Sequence, residues 1–173
     1  RIPSVLYSTG NLFESHEAME LERVLTAAAA PEDGRALRVA LTTDMLGLKA
    51  EDLEETLREE GRWEEWILRF KGYQELWHGR GFIRMFRQLL SREKVLARLM
   101  VVPDGERRNT NLLHLGEILH QASVERKLDR PRLLQWLSDQ RSGTGTRPEE
   151  HPIRLESDER AVKLVTVHKS KGL

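Results

Sequence analysis

Two short apolar runs rich in strand-forming residues, Val5-Leu6-Tyr7 and Val162 to Val167, stand near opposite ends of the chain, and the long stretch between them is patterned as helix. That arrangement constrains the fold more than any other feature. Two isolated strands cannot satisfy their own backbone N–H and C=O groups. They need a sheet that this sequence does not supply, so the chain reads as a helical domain set between two strands of another domain. The second run breaks into a basic, glycine-containing turn, His168-Lys169-Ser170-Lys171-Gly172-Leu173. Ligands of open α/β sheets bind at such C-terminal strand ends. The turn is therefore either part of a ligand site or a solvated basic tail.

Between these runs the apolar residues recur at three and four, the helical period. A helix from about Glu14 carries Ala18, Leu21, Leu25 and Ala28 and stops at Pro31. A short helix after Gly34 carries Leu37, Ala40 and Leu41, and Met45-Leu46-Gly47-Leu48 is a tight apolar turn. Leu53 and Leu57 belong to the next helix, whose other face is acidic. Arg62 to His78 predicts an amphipathic helix with Trp63, Trp66, Ile67, Phe70, Tyr73 and Trp77 toward a core, not exposed for base stacking. Phe82 to Leu90 opens another helix, which Val95 to Met100 either continues or follows as a new one. Thr110 is placed to cap a long helix bearing Leu112, Leu115, Ile118, Leu119 and Ala122. Asp129 followed by Pro131 starts a further helix, with Leu133, Leu134, Trp136 and Leu137 inward. Arg141 to Pro152 has a linker's composition.

The 173 residues balance 28 Lys and Arg against 28 Asp and Glu, which excludes a globally basic nucleic-acid binder but leaves room for local basic patches. No cysteine is present, so disulfides, thiolate nucleophiles and zinc-thiolate sites are excluded. No apolar run approaches the ~20 residues of a membrane span. Arg1-Ile2-Pro3-Ser4 carries neither an initiator Met nor a signal pattern, and both ends read as cut from a longer chain.

No GxxxxGK[ST] phosphate loop occurs. The six histidines lack metal-ligand spacing, and Glu125-Arg126-Lys127 lacks the strand and partner carboxylate that a nuclease E-x-K requires. No catalytic or metal-binding residue is assigned. Arg80, Arg84, Arg87, Lys94 and Arg98 would form a basic stripe on a continuous helix, either a solvated face or one suited to phosphates or an acidic partner. Gly105 to Asn111 reads as a loop before a capped helix, with Arg107 and Arg108 able to pin that helix by ion pairs or to contact a partner.

The terminal VKLVTVHKSKGL resembles motif V of the UvrD/Rep-type superfamily 1 DNA helicases, a strand followed by T-x-H-x-x-K-G-L-E; Thr166, His168, Lys171, Gly172 and Leu173 match. Ile2, Pro3, Phe13, Glu17, Pro31 and Leu37 follow the order of that family's entry into its 2B subdomain. GERRNTNLLHLGEILHQA, Gly105 to Ala122, and the closing HKSKGL are similar to the RecB-like branch, the exodeoxyribonuclease V β subunits.

The resemblance implies a mainly α fold: residues 1–12 flanking a RecA-like (2A) domain, a helical 2B-like subdomain over 13–141, a linker over 142–160, and a 2A strand with motif V over 161–173. It implies a parent that is an ATP-dependent 3′→5′ DNA helicase and exodeoxyribonuclease of the bacterial cytoplasm. Such a parent acts in double-strand break repair and recombination, uses ATP and Mg2+, and works with RecC-like and RecD-like subunits. The fragment itself would hold no cofactor and hydrolyse no ATP. Thr166, His168 and Lys169 are implied contacts to single-stranded DNA, and Lys171 and Gly172 face the nucleotide side. Gly47, Arg80, Arg84, Arg87, Arg107 and Arg108 are candidate contacts to a partner or DNA. UvrD-type members carry a G-I-G turn that meets duplex DNA; Met45 to Leu48 keeps one of its glycines. A free-standing helical interaction domain with no nucleic-acid role is the alternative that the zero net charge and helical body permit.

Overall fold

A computed structural model describes residues 11–143, together with the backbone of residues 4–6 and 162–164. Those two short segments, β1 (Ser4–Leu6) and β2 (Val162–Leu164), run parallel with Ser4 opposite Val162 and Leu6 opposite Leu164. The remaining described elements are helical.

A single 3-10 turn, Leu12–Glu14, buries Leu12 and Phe13 completely and delivers the chain into α1 (His16–Ala29). The helix starts two residues later than the periodicity suggests because Ser15 caps it, its hydroxyl accepting from the Ala18 N–H at 3.2 Å. Ala18, Leu21, Val24, Leu25 and Ala28 turn inward. This helix is the hub: it packs against α2 (Gly34–Leu41), α4 (Glu60–Arg80), α7 (Gly105–Glu125) and α8 (Arg130–Ser142). Asp33 caps α2 by accepting from the N–H groups of Arg35 and Ala36.

The acidic helix α3 (Ala50–Arg58) buries only Thr56, and Leu57 is exposed, contrary to the inward placement its spacing suggests. The helix contributes little apolar surface, so the first half of α4 that it accompanies is thinly covered. Phe70, Tyr73 and Trp77 are buried as expected, whereas Trp63, Trp66 and Ile67 are half-buried against the core's edge. The Arg69 guanidinium lies over the Trp66 ring, 4.3 Å from its centroid.

Gly81, at φ +83°, separates α4 from α5 (Phe82–Arg92), a backbone angle that side-chain-bearing residues rarely adopt. A second break precedes α6 (Val95–Met100), where Lys94 takes φ +51° and Glu93 is buried. Glu93 accepts from the Tyr73 hydroxyl and from Arg69 at 3.2 Å. Burial and that hydrogen bond to Glu93 push the Tyr73 phenol far above its ordinary value.

The long helix α7 begins at Gly105, five residues before Thr110, whose hydroxyl bonds back to the Glu106 carbonyl at 3.0 Å. The stretch Gly105 to Asn111 is thus the first turns of α7, not a loop. Its polar residues find tertiary partners that the sequence does not reveal. The Asn109 side chain donates to the Leu96 carbonyl at 3.0 Å, and Asn111 is buried against α1. Asp129 caps α8, accepting from the Arg132 N–H at 3.0 Å, with Pro131 in the first turn. Leu133 and Leu137 are buried, and Trp136 meets Phe13 edge-on at 5.7 Å.

Candidate partner and nucleic-acid interface

Among the sequence-selected residues, Arg108 has the most constrained surroundings. The N-terminus of α1, the turn after α2 and the start of α7 converge there. Its Nε donates to Glu17 Oε1 at 2.8 Å, one Nη to Asp44 Oδ2 at 2.8 Å and the other to Glu20 Oε2 at 3.4 Å. Asn111 donates to the second Glu17 oxygen at 3.0 Å, and the Asp44 N–H to Glu20 Oε1 at 2.7 Å. The Arg108 side chain is only 12% exposed. Burial opposes its charge, but the hydrogen bonds to Asp44 and Glu17 prevail and hold the guanidinium above its ordinary value. Burial also raises the Glu20 carboxyl, offset in part by the Asp44 N–H. This arrangement makes Arg108 a pin between three segments, with its donor fork turned inward. Arg107, one residue before, is exposed and pairs with Asp104 at 2.9 Å.

His16 completes the corner, its Nε2 3.2 Å from Glu20 and 3.6 Å from Asp44. One ligand atom each from His16, Glu20 and Asp44 lie within 4.8 Å of one another, a spacing a divalent ion could bridge. Arg108 already supplies counter-charge to both carboxylates. A polar cleft of about 550 Å³ opens over this corner, lined by His16, Asp44, Arg107 and Arg108 among others. Sequence reasoning selected the arginine, but of its partners it named only Glu17, as a match to the 2B entry and not as a partner of Arg108. A signal for them exists: Glu17 and Glu20 fall on the same helical stripe as Leu21, Val24 and Ala28, and carboxylates on an apolar stripe require a buried cation.

The Met45 to Leu48 turn adjoins this corner. Gly47 takes φ +71°, and a Cβ there would stand 2.5 Å from Arg98 Cδ. Arg98 runs beneath the turn, donating to the Met45 carbonyl at 2.6 Å and the Glu93 carbonyl at 3.0 Å. The glycine therefore lets the turn close over an arginine. Met45 and Leu46 are buried, and Gly47 itself is exposed.

The expected stripe of Arg80, Arg84, Arg87, Lys94 and Arg98 on one continuous helix is not formed. The breaks at Gly81 and Lys94 distribute it over three helices, and Arg98 is committed to the Met45 turn. Arg80, Arg84 and Arg87 remain exposed, outside the lining of the Arg108 cleft and without an ion pair to another described residue. Thr166, His168, Lys169, Lys171 and Gly172 lie outside the described residues, as does 144–160 of the expected linker. Among the described residues no helix is long and apolar enough to cross a membrane.

No protein-family model matches the chain. Similarity to curated proteins covers nearly its whole length. It is 38% identical over 173 residues, 99% of the chain, to the RecBCD enzyme subunit RecB of Escherichia coli, and 38% identical over the same share to RecB of Haemophilus influenzae. RecB of Mycobacterium tuberculosis H37Rv is 32% identical over 179 residues, again 99% of the chain. The chain spans about 15% of the length of these relatives: 15%, 14% and 15% respectively.

Proposed function

The chain belongs to the RecB family, matching a segment of the subunit, and from that premise we propose that it is the helical 2B-type accessory subdomain of a helicase–nuclease motor, joined to the motif V strand. The carrying observation is the 38% identity across 99% of the chain. The relatives' name, RecBCD enzyme subunit RecB, supports a parent that works beside RecC-like and RecD-like subunits, and the motif V resemblance supports one that unwinds and degrades DNA in double-strand break repair.

In this reading ATP and Mg2+ bind the parent's RecA-like domains. The sequence carries no GxxxxGK[ST] phosphate loop, and this reading gives the segment no triphosphate site of its own. Motif V supplies DNA contact through Thr166, His168 and Lys169 and faces the nucleotide through Lys171 and Gly172. Glycine admits close backbone approach, and lysine offers a point charge to an anion. The helical body presents Arg80, Arg84, Arg87, Arg107 and the Gly47 turn to DNA or a partner subunit.

The test is Lys171→Ala in the full-length subunit, read as DNA-stimulated ATP turnover beside binding of the partner subunits. Loss of stimulation with assembly intact is the expected result. Unchanged turnover would overturn the motif V assignment.

A further inference from the structure

From His78 to Arg98 the chain carries Arg80, Arg84, Arg87, Arg92, Lys94 and Arg98 and a single acidic residue, Glu93. Glu93 is buried and engaged by Tyr73 and Arg69. The solvent side of this stretch is therefore cationic without a balancing carboxylate, in a chain whose net charge is zero. The opposite sign is collected elsewhere. Glu51, Asp52, Glu54, Glu55, Glu59, Glu60, Glu64 and Glu65 lie on α3 and the start of α4, against Arg58 and Arg62. Arg58 and Arg62 are themselves paired with carboxylates of that group. Glu60 and Arg80 sit at opposite ends of α4, ~30 Å apart at 1.5 Å of rise per residue.

The geometry points to the solvent face of α5 as a docking surface for a nucleic-acid phosphodiester backbone. On this helix Phe82, Met85, Phe86, Leu89 and Leu90 are buried. Arg84, Arg87, Gln88 and Ser91 recur at three and four on the opposite side, all exposed. Every one of them is a hydrogen-bond donor of the kind that contacts phosphate, and two are guanidiniums that can do so bidentately. Arg84 to Ser91 covers ~10 Å of helix axis, about three nucleotides at ~3.4 Å of rise per strand residue.

A protein partner is the less favoured occupant on the same observations. Protein interfaces need a desolvated apolar or aromatic centre, and this stripe has no exposed large apolar side chain; the nearest in sequence, Met100 and Val101, belong to the far end of α6. Phosphate contact needs only cations and donors, and it reads no bases, so binding at this face is indifferent to sequence. The acidic pole would turn the same polyanion away, so one end of α4 is presented to it in preference to the other.

This inference rests on the helicase reading, and its test separates the two. The full-length subunit and its R84Q/R87Q variant would be titrated with a labelled ~30-base-pair duplex and, separately, a single strand of the same length, between about 50 and 200 mM salt. With ~0.9 counterions released per phosphate contact, two lost contacts flatten the log–log salt slope by about 1.8. Across that range the wild type then loses about tenfold more affinity than the variant. The probe that shows the difference identifies the strand form. R58Q, which removes a cation from the acidic pole, is expected to leave the slope unchanged. Identical salt slopes for wild type and R84Q/R87Q, with DNA still bound, would overturn the docking surface while leaving the helicase reading intact. An intact wild-type subunit that binds neither probe would instead remove the helicase reading. Loss of partner-subunit binding in R84Q/R87Q with DNA affinity unchanged would assign the face to a protein and also overturn the proposal.

Discussion

Arg108 holds two buried carboxylates and a third, half-exposed one, from segments that are 64 to 91 residues away in sequence. Its value to the fold is best judged by what its absence leaves. Arg108→Ala strands Glu17, which is 5% exposed, without a counter-charge and leaves Glu20, 3% exposed, with His16 alone, and breaking a buried pair in this way costs about 3–5 kcal/mol. Arg108→Lys should recover only part of that loss, because an ammonium on a flexible stem cannot serve three acceptors in the guanidinium's fixed fork. Chemical denaturation of both variants checks the order. This residue also marks a limit of sequence reading. Paired arginines suggest either a pin or a contact, and only the positions of Glu17, Glu20 and Asp44 decide for the pin. Arg107, its neighbour, faces solvent one helical step away.

Local signals decided the helices well where they acted alone and poorly where tertiary partners intervened. Ser15, Asp33 and Asp129 cap as their types suggest, and Pro31 and Pro131 sit at an end and a start. The start of α7 escaped because Asn109 and Asn111, which read as loop residues, have their amides satisfied by Leu96 and Glu17. The short acidic α3 shows the reverse: Leu57 has the right spacing and no surface to pack on. At the junction of α6 and α7 a glycine lies directly against backbone atoms, which cannot swing aside as a side chain can. A Cβ on Gly105 would stand 2.4 Å from the Leu99 carbonyl oxygen and 2.7 Å from that of Met100, atoms fixed in the preceding turn. Gly105→Ala is therefore expected to cost about 1–3 kcal/mol as overpacking. It should lower the urea midpoint at constant m-value, since the surface exposed on unfolding is unchanged.

Across the whole body, α1 is in contact with α2, α4, α7, α8 and the 3-10 turn, so no large part of the core can melt without it. Leu21, fully buried on that helix, is the natural probe: Leu21→Ala is expected to cost about 2–5 kcal/mol. Far-UV circular dichroism and tryptophan fluorescence should shift together, Trp77 on α4 and Trp136 on α8 reporting the same transition as the backbone. Separate transitions would mean that α1 does not unite the helices. The architecture was legible in outline from the apolar periodicity, but the hub was not, because a helix's partners are set by which faces meet rather than by any local pattern.

The Arg108 pin also has a consequence in time. Glu17 precedes Arg108 by 91 residues, and at ~5–20 residues per second of synthesis the ribosome needs roughly 5 to 20 s to supply the cation after the carboxylate. Throughout that interval α1 has emerged without α7 or α8 to cover it, and Glu17 and Glu20 still sit in water as charged groups on its apolar stripe. The same two residues that later demand a buried partner thus keep the nascent hub helix solvated until its partner arrives.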